Sequence, residues 1–342
     1  MSLTSQLDKK TSPVRQFFSK YEDKQGIKEC LAELQSTKQT KKPAYKPASQ
    51  PVWGLIGTAT DYLIRYVANN NRLEFDQTIA CQARSVIESM PRSLQYAFNT
   101  TIETADVLYE IGRAHLDGRS PDEAAVYSAT ALSLLDNAYR SRSGRMFPAY
   151  FDEHIAYDGR LDSYPGDYGL LEKLAMLKFY NYFCSELSGK DYAQDILEIL
   201  NIFASARSSF GDEFSETTFT VFNLALANDH LVCGADIDCV ITQNKMNILT
   251  DIKTTIHSLP ISALRQLIGY ALLHDEEKDQ FTVDEIGIYY SRSGSFRHIP
   301  VRTIIRKCLP SFKTVEAAKK AFIYEAGNCP ATAMAKQIHK AK

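Results

Sequence analysis

Two aspartates set into apolar strands constrain this chain more than any other feature. Residues 230–290 hold two short apolar runs that carry acids, then an amphipathic helix, then a third apolar run. Val240-Ile241 and Ile248-Leu249 read as strands, because β-branched and apolar residues flank the polar turn Thr242 to Lys245. Period-two alternation places Asp236, Asp238 and Val240 on one face of the first strand, and Leu249, Asp251 and Lys253 on one face of the second. A two-residue turn at Asn244-Lys245 sets Gln243 against Met246, and counting back sets Asp238 opposite Asp251. Directly opposed residues have Cβ atoms roughly 5 Å apart, where like charges destabilise a sheet. The pair therefore needs a counter-charge. Lys253 supplies one, and a divalent cation would supply another.

The motifs follow in a fixed order: Gly234-x-x-x-Asp238 running into an apolar strand, a second apolar strand ending Asp251-Ile252-Lys253, then Gln266-x-x-x-Tyr270 on a helix. This order resembles the PD-(D/E)XK nuclease superfamily, and within it the RecB-like exonuclease branch. The resemblance implies a restriction-endonuclease-like α/β core, a mixed sheet of about four strands flanked by helices. It also implies a nuclease that hydrolyses phosphodiester bonds with Mg²⁺ or Mn²⁺, with DNA as the expected substrate in processing, repair or phage defence. On that resemblance Asp238 and Asp251 hold the metal, the Ile252 carbonyl adds a ligand, and Asp236 is an alternative one. Lys253 positions the attacking water and stabilises charge on the phosphate, while Gln266 supports the lysine and Tyr270 contacts the nucleic-acid backbone. Magnesium fits such a donor set, since it takes hard oxygen ligands and is usually held by one or two carboxylates plus substrate phosphate.

Two departures from the pattern stand out. Ile237, not proline, precedes Asp238. The first helix of the branch normally carries His or an acid after a Gly-Thr step, and here Gly57-Thr58-Ala59-Thr60-Asp61 offers Asp61 as the candidate helix ligand. Asp61 also stands one turn before Arg65, so an intrahelical ion pair is an equal reading. Arg292 and Arg297 bracket the turn after the third strand and are candidate phosphate donors. Some nucleases of this branch carry a four-cysteine iron–sulfur cluster near the C-terminus. Only Cys308 and Cys329 lie there, so no such cluster is expected.

Charge and cysteine content narrow the class further. Lys and Arg number 39 against 41 Asp and Glu, which disfavours a protein that coats nucleic acid along its whole surface but allows a local basic groove. Seven cysteines without a C-x-x-C pair suggest neither zinc nor a disulfide framework. No apolar run reaches membrane-spanning length and no secretory leader is evident, so a cytoplasmic protein without a membrane partner is expected.

Along the chain, residues 1–51 read as a polar tail, a helical segment opened by Ser12-Pro13, and a basic linker over 38–51. Residues 52–71 are the expected first helix of the nuclease core, with Leu55, Ala59, Tyr62, Leu63 and Tyr66 at helical spacing. Residues 72–207 form a large helical insertion, including runs at 105–116, 121–140, 170–187 and 192–203, and an aromatic-rich loop at 146–168. Residues 208–330 are the core proper, where Glu213 or Glu216 could add a ligand and Asp275 to Asp279 reads as a solvated turn. Residues 331–342 are a basic tail. The alternative to an enzyme is a non-catalytic nucleic-acid-binding or complex-forming protein on the same fold, acting with a partner subunit. No P-loop is present, so helicase action would need another chain.

Overall fold

The computed structural model describes residues 3–35, 42–43, 45, 50–89, 102–141, 177, 179–209, 218–232 and 234–327. In chain order the helices are α1 (Leu3–Asp8), α2 (Pro13–Tyr21), α3 (Lys24–Leu34), α4 (Gln50–Ala68), α5 (Ile79–Ser89), α6 (Ile102–Ala114), α7 (Glu123–Ser141), α8 (Gly189–Ser209), α9 (Ile261–Leu273), α10 (Glu276–Asp279), α11 (Val301–Cys308) and α12 (Val315–Gly327). The strands are β1 (Thr218–Ala225), β2 (Asp236–Gln243), β3 (Met246–Lys253), β4 (Glu285–Tyr290) and β5 (Ser295–Pro300). The chain divides into two compact units, residues 1–41 with 205–342, and residues 42–204. The loop at 146–168, Glu213, Glu216, most of the basic linker and the tail from 331 lie outside the described residues. Among the described residues no helix is long and apolar enough to cross a membrane.

The first unit is built on a five-stranded mixed sheet in the order β1-β2-β3-β4-β5. Strands β1, β2 and β3 form an antiparallel meander, β3 and β4 run parallel, and β4 and β5 are antiparallel. A parallel pair needs a crossover, and α9 supplies it between β3 and β4. The β2–β3 turn has both central residues at positive φ, Asn244 at 50° and Lys245 at 64°, the backbone of a two-residue hairpin that matches strand twist. Gln243 pairs with Met246 as the sequence implies, and the hydrogen-bonded register runs back to Cys239 with Thr250.

One sheet face carries Val240, Leu249, Ile286, Ile288, Tyr290 and Ile299 into the main core, where they meet Leu264, Leu267, Ile268 and Leu272 of α9. The opening residues are part of this core and not a polar tail. Leu3 and Leu7 of α1, Phe17 and Phe18 of α2, and Ile27 and Leu34 of α3 are all buried in it. Each helix has a local reason to start where it does. The Ser12 hydroxyl accepts the Arg15 N–H at 3.0 Å with Pro13 at the first helical position, and the Asp23 carboxylate accepts the Gly26 N–H at 2.6 Å. Glu22 then grips Arg265 of α9, accepting from two of its guanidinium nitrogens, Nε at 2.8 Å and Nη2. The N-terminal helices thus belong with the sheet, whereas the sequence pattern sets residues 1–51 apart.

Two further elements escape the sequence pattern, β1 and α11. The segment expected as a solvated turn is also structural: Asp279 Oδ1 accepts the Ala227 N–H at 2.8 Å, which ties the end of β1 to α10.

The second unit is helical. The apolar stripe of α4, with Leu55, Ala59, Tyr62, Leu63 and Tyr66 buried, packs against α7. The helix expected to open the sheet-bearing core therefore belongs with residues 42–204, because its buried stripe is matched to α7 there. The helical runs read at 105–116, 121–140 and 192–203 correspond to α6, α7 and α8, and the end of the 170–187 run is a π-helical turn, Tyr182–Glu186.

Candidate active site

The site forms where the β2–β3 ladder stops. Past Cys239 and Thr250 the strands separate, and the Asp238 side chain replaces a backbone partner: its Oδ2 accepts the Ile252 N–H at 2.8 Å. The N–H and C=O of one residue point to the same side of a strand, so the Ile252 carbonyl is directed toward the same gap. Asp251 lies beside Asp238 on the core-facing side of the sheet, in a row with Ile288 of β4 and Arg297 of β5. Asp251 is only 5% exposed, and Lys253 Nζ sits 2.7 Å from its Oδ2. That contact is an ion pair, and among the described residues no donor makes a well-directed hydrogen bond to Oδ2.

Electrostatics follow from burial. Desolvation pushes the Asp251 carboxyl up to about 6, against the pull of Lys253 and with the help of the Asp238 charge. Burial opposes the charge on Lys253, but Asp251 and Asp238 outweigh it and hold the ammonium above its ordinary range. Tyr270 of α9 is 5% exposed. Burial first, then the charges of Asp238 and Asp251, raise its phenol well above the usual value. Its oxygen accepts from Gln266 Nε2 at 2.7 Å, which leaves its own proton to be given elsewhere. The second Gln266 amide hydrogen goes to Thr4 Oγ1 of α1 at 3.0 Å.

Asp251 gives a pH prediction with a definite sign. Its unfolded carboxyl titrates near about 3.9, and the folded one is raised, so the native state binds the extra proton. The stability this group contributes is full below about pH 4 and is lost as pH rises through about 6. Urea unfolding between pH 4.5 and 7.5 should show this decline, and Asp251→Asn should flatten it. An unchanged slope in Asp251→Asn would mean that the carboxyl is not shifted.

The sequence candidates fall into three sets. Asp238, Asp251, Ile252, Lys253, Gln266 and Tyr270 are brought together, with Asp236, half-buried, two residues before Asp238 on the same face. Asp61 belongs to the 42–204 unit, where its carboxylate clamps the buried guanidinium of Arg65 in the intrahelical pair that the spacing also allowed. The phosphate-contact group changes character. Tyr270 is a core residue against the acids, and Arg292 is 2% exposed with Nε donating to the Thr254 carbonyl at 3.1 Å, a fixed strut rather than a groove arginine. Arg297 is half-buried in the row that contains Asp251.

Thr4 and the Tyr290 hydroxyl, which donates to the Leu34 carbonyl at 2.9 Å, are neighbours that the sequence pattern does not single out. Nothing local marks either of them, because their partners lie more than 250 positions away.

The donor set suits a hard divalent cation. Two adjacent carboxylates, one with a buried oxygen that no donor addresses well, and a strand-edge carbonyl are what such an ion takes from a protein. Among the described residues there is no group of three or more His, Cys, Asp or Glu placed to hold a metal. Compared with known protein families and with curated proteins, the chain matches no family model and no curated protein.

Proposed function

We propose that the protein is a metal-dependent nuclease of the PD-(D/E)XK kind, hydrolysing phosphodiester bonds in nucleic acid, with DNA the favoured substrate. One observation carries the reading: Asp238, Asp251 and Lys253 converge where β2 and β3 part, backed by Gln266 and Tyr270. The mixed sheet with a helix crossing over between its parallel strands supports it, since a mixed sheet flanked by helices is the core class the resemblance implies.

Asp238, Asp251 and the Ile252 carbonyl would hold Mg²⁺ or Mn²⁺. When bound, such an ion polarises the phosphoryl oxygen and acidifies its water. Lys253 keeps its proton at working pH and places a fixed positive charge where negative charge develops on the phosphate. Asp238 also anchors the Ile252 amide, which fixes the backbone between the acid and the lysine. Gln266 orients Tyr270, and Tyr270 closes the apolar side of the site against water.

The test is cleavage of linear duplex, circular duplex and single-stranded DNA, and of RNA, with Mg²⁺, Mn²⁺ or EDTA. Metal-dependent product that EDTA abolishes is expected, and cutting of the circle separates endonuclease from exonuclease action. Inertness on every substrate by a folded protein would sink the proposal for the isolated chain.

A further inference from the structure

Helix α11 and the turn that follows it enclose a cleft of about 690 Å³. Three cations line it. Arg302 and Arg306 stand one turn apart on α11, and Lys313 rises from the turn before α12. The reason for their placement is local. Val301, Ile304, Ile305 and Cys308 fill the core side of α11, so positions 302 and 306 fall on its outer face.

All three cations are exposed, and among the described residues none is paired with a carboxylate. The ion pairs nearby are made by other residues: Lys307 with Glu33 and Lys319 with Glu316, the latter at 4.0 Å. Glu316 lines the cleft too, so its charge is partly met from outside it. Phe312 and Val315, both partly exposed, add an apolar wall. With 39 Lys and Arg against 41 Asp and Glu overall, this concentration is not a sample of a generally basic surface.

We propose that this cleft is a second binding site, which takes phosphate groups of a nucleic-acid backbone away from the bond that is cut. Guanidinium forks suit phosphate oxygens, backbone contacts position nucleic acid without reading its sequence, and an apolar wall accepts the sugar or a base face. The ligand's identity rests on the nuclease reading, while the cleft and its unpaired cations do not. None of the lining residues belongs to the acid site. The cleft therefore acts on affinity and not on bond cleavage.

The experiment is fluorescence anisotropy of labelled single-stranded and duplex oligonucleotides with the full chain in EDTA, from 50 to 200 mM salt. Arg302→Glu/Arg306→Glu should weaken binding by about tenfold or more and lower the slope of log K against log salt by about 2. Arg306→Gln, a gentler change on an exposed position, should lower the slope by about 1. Arg302→Lys/Arg306→Lys should keep most of the affinity. Circular dichroism confirms that each variant is folded.

Unchanged affinity and slope in the charge-reversal variant would overturn the site, as would failure of the unaltered chain to bind either oligonucleotide. If cleavage fails with every metal while arginine-dependent binding persists, the nuclease reading falls and the cleft stands. If cleavage is metal-dependent but binding ignores the arginines, the cleft falls and the nuclease reading stands.

Discussion

Lys253→Ala is expected to lower the cleavage rate by roughly 10²–10³-fold, the usual cost of removing one group aimed at developing charge. The structure also predicts what this change should spare. Lys253 Nζ is 2.7 Å from Asp251, and the ammonium competes with any cation for the same carboxylate oxygens. Without it, thermal stabilisation by Mg²⁺ should persist in the Lys253→Ala protein, while Asp251→Ala should lose both stabilisation and cleavage. Loss of stabilisation in both variants would mean that the lysine is part of the binding site's architecture and not a separate catalytic charge. Retained cleavage in Lys253→Ala would remove it from the mechanism altogether. Because the Asp251 carboxyl is pushed up to about 6, a proton competes for the same oxygen below that pH. Metal-induced stabilisation in the unaltered chain should therefore weaken as pH falls through that value.

Gly26→Ala is expected to destabilise the sheet-bearing unit by about 3 kcal/mol, at the upper end of what added core atoms cost. A Cβ at this position would lie 1.9 Å from the Lys307 carbonyl oxygen and 2.4 Å from its carbon. Both atoms are backbone, so no side chain can swing aside. Helix α3 would have to lift from α11, which would disturb the Asp23 N–H to Cys308 carbonyl bond of 2.8 Å and the buried Cys30 and Leu34 on the same helix. A urea titration followed by circular dichroism measures the effect. A loss below about 1 kcal/mol would show that the two helices can separate cheaply.

Legibility in the sequence tracks sequence distance. The β2–β3 hairpin can be read from alternation and a two-residue turn, and the positive φ values of Asn244 and Lys245 show the geometry that the spacing requires. From that register the acid pair and the lysine follow. Helix α9 is equally legible, since its apolar stripe is uninterrupted from Ile261 to Leu273. Strand β1 is not, although Thr218–Ala225 is rich in β-branched and aromatic residues, because no short turn joins it to β2.

The burial of Tyr270 and Arg292 is beyond local reasoning. It depends on packing and backbone contacts that only the folded unit creates: α1 lies against α9, and the Thr254 carbonyl comes within reach of Arg292. Asp61 carries two local signals of similar weight, a family-like position and an i,i+4 partner, and the structure displays the second. A carboxylate that already clamps a buried guanidinium gives up that contact if it binds anything else.

The sheet-bearing unit has one consequence for synthesis. Its N-terminal helices leave the ribosome first, but the strands they cover come only after about 160 intervening residues. At ~5–20 residues per second, α1 to α3 wait roughly 10–30 s for their partners. Thr4 cannot reach Gln266, and Glu22 cannot grip Arg265, until translation has passed the second carboxylate and its lysine. A nascent chain therefore lacks the contacts of α1 and α2 with α9 until residues 265 and 266 have been made, and the sheet-bearing unit closes late.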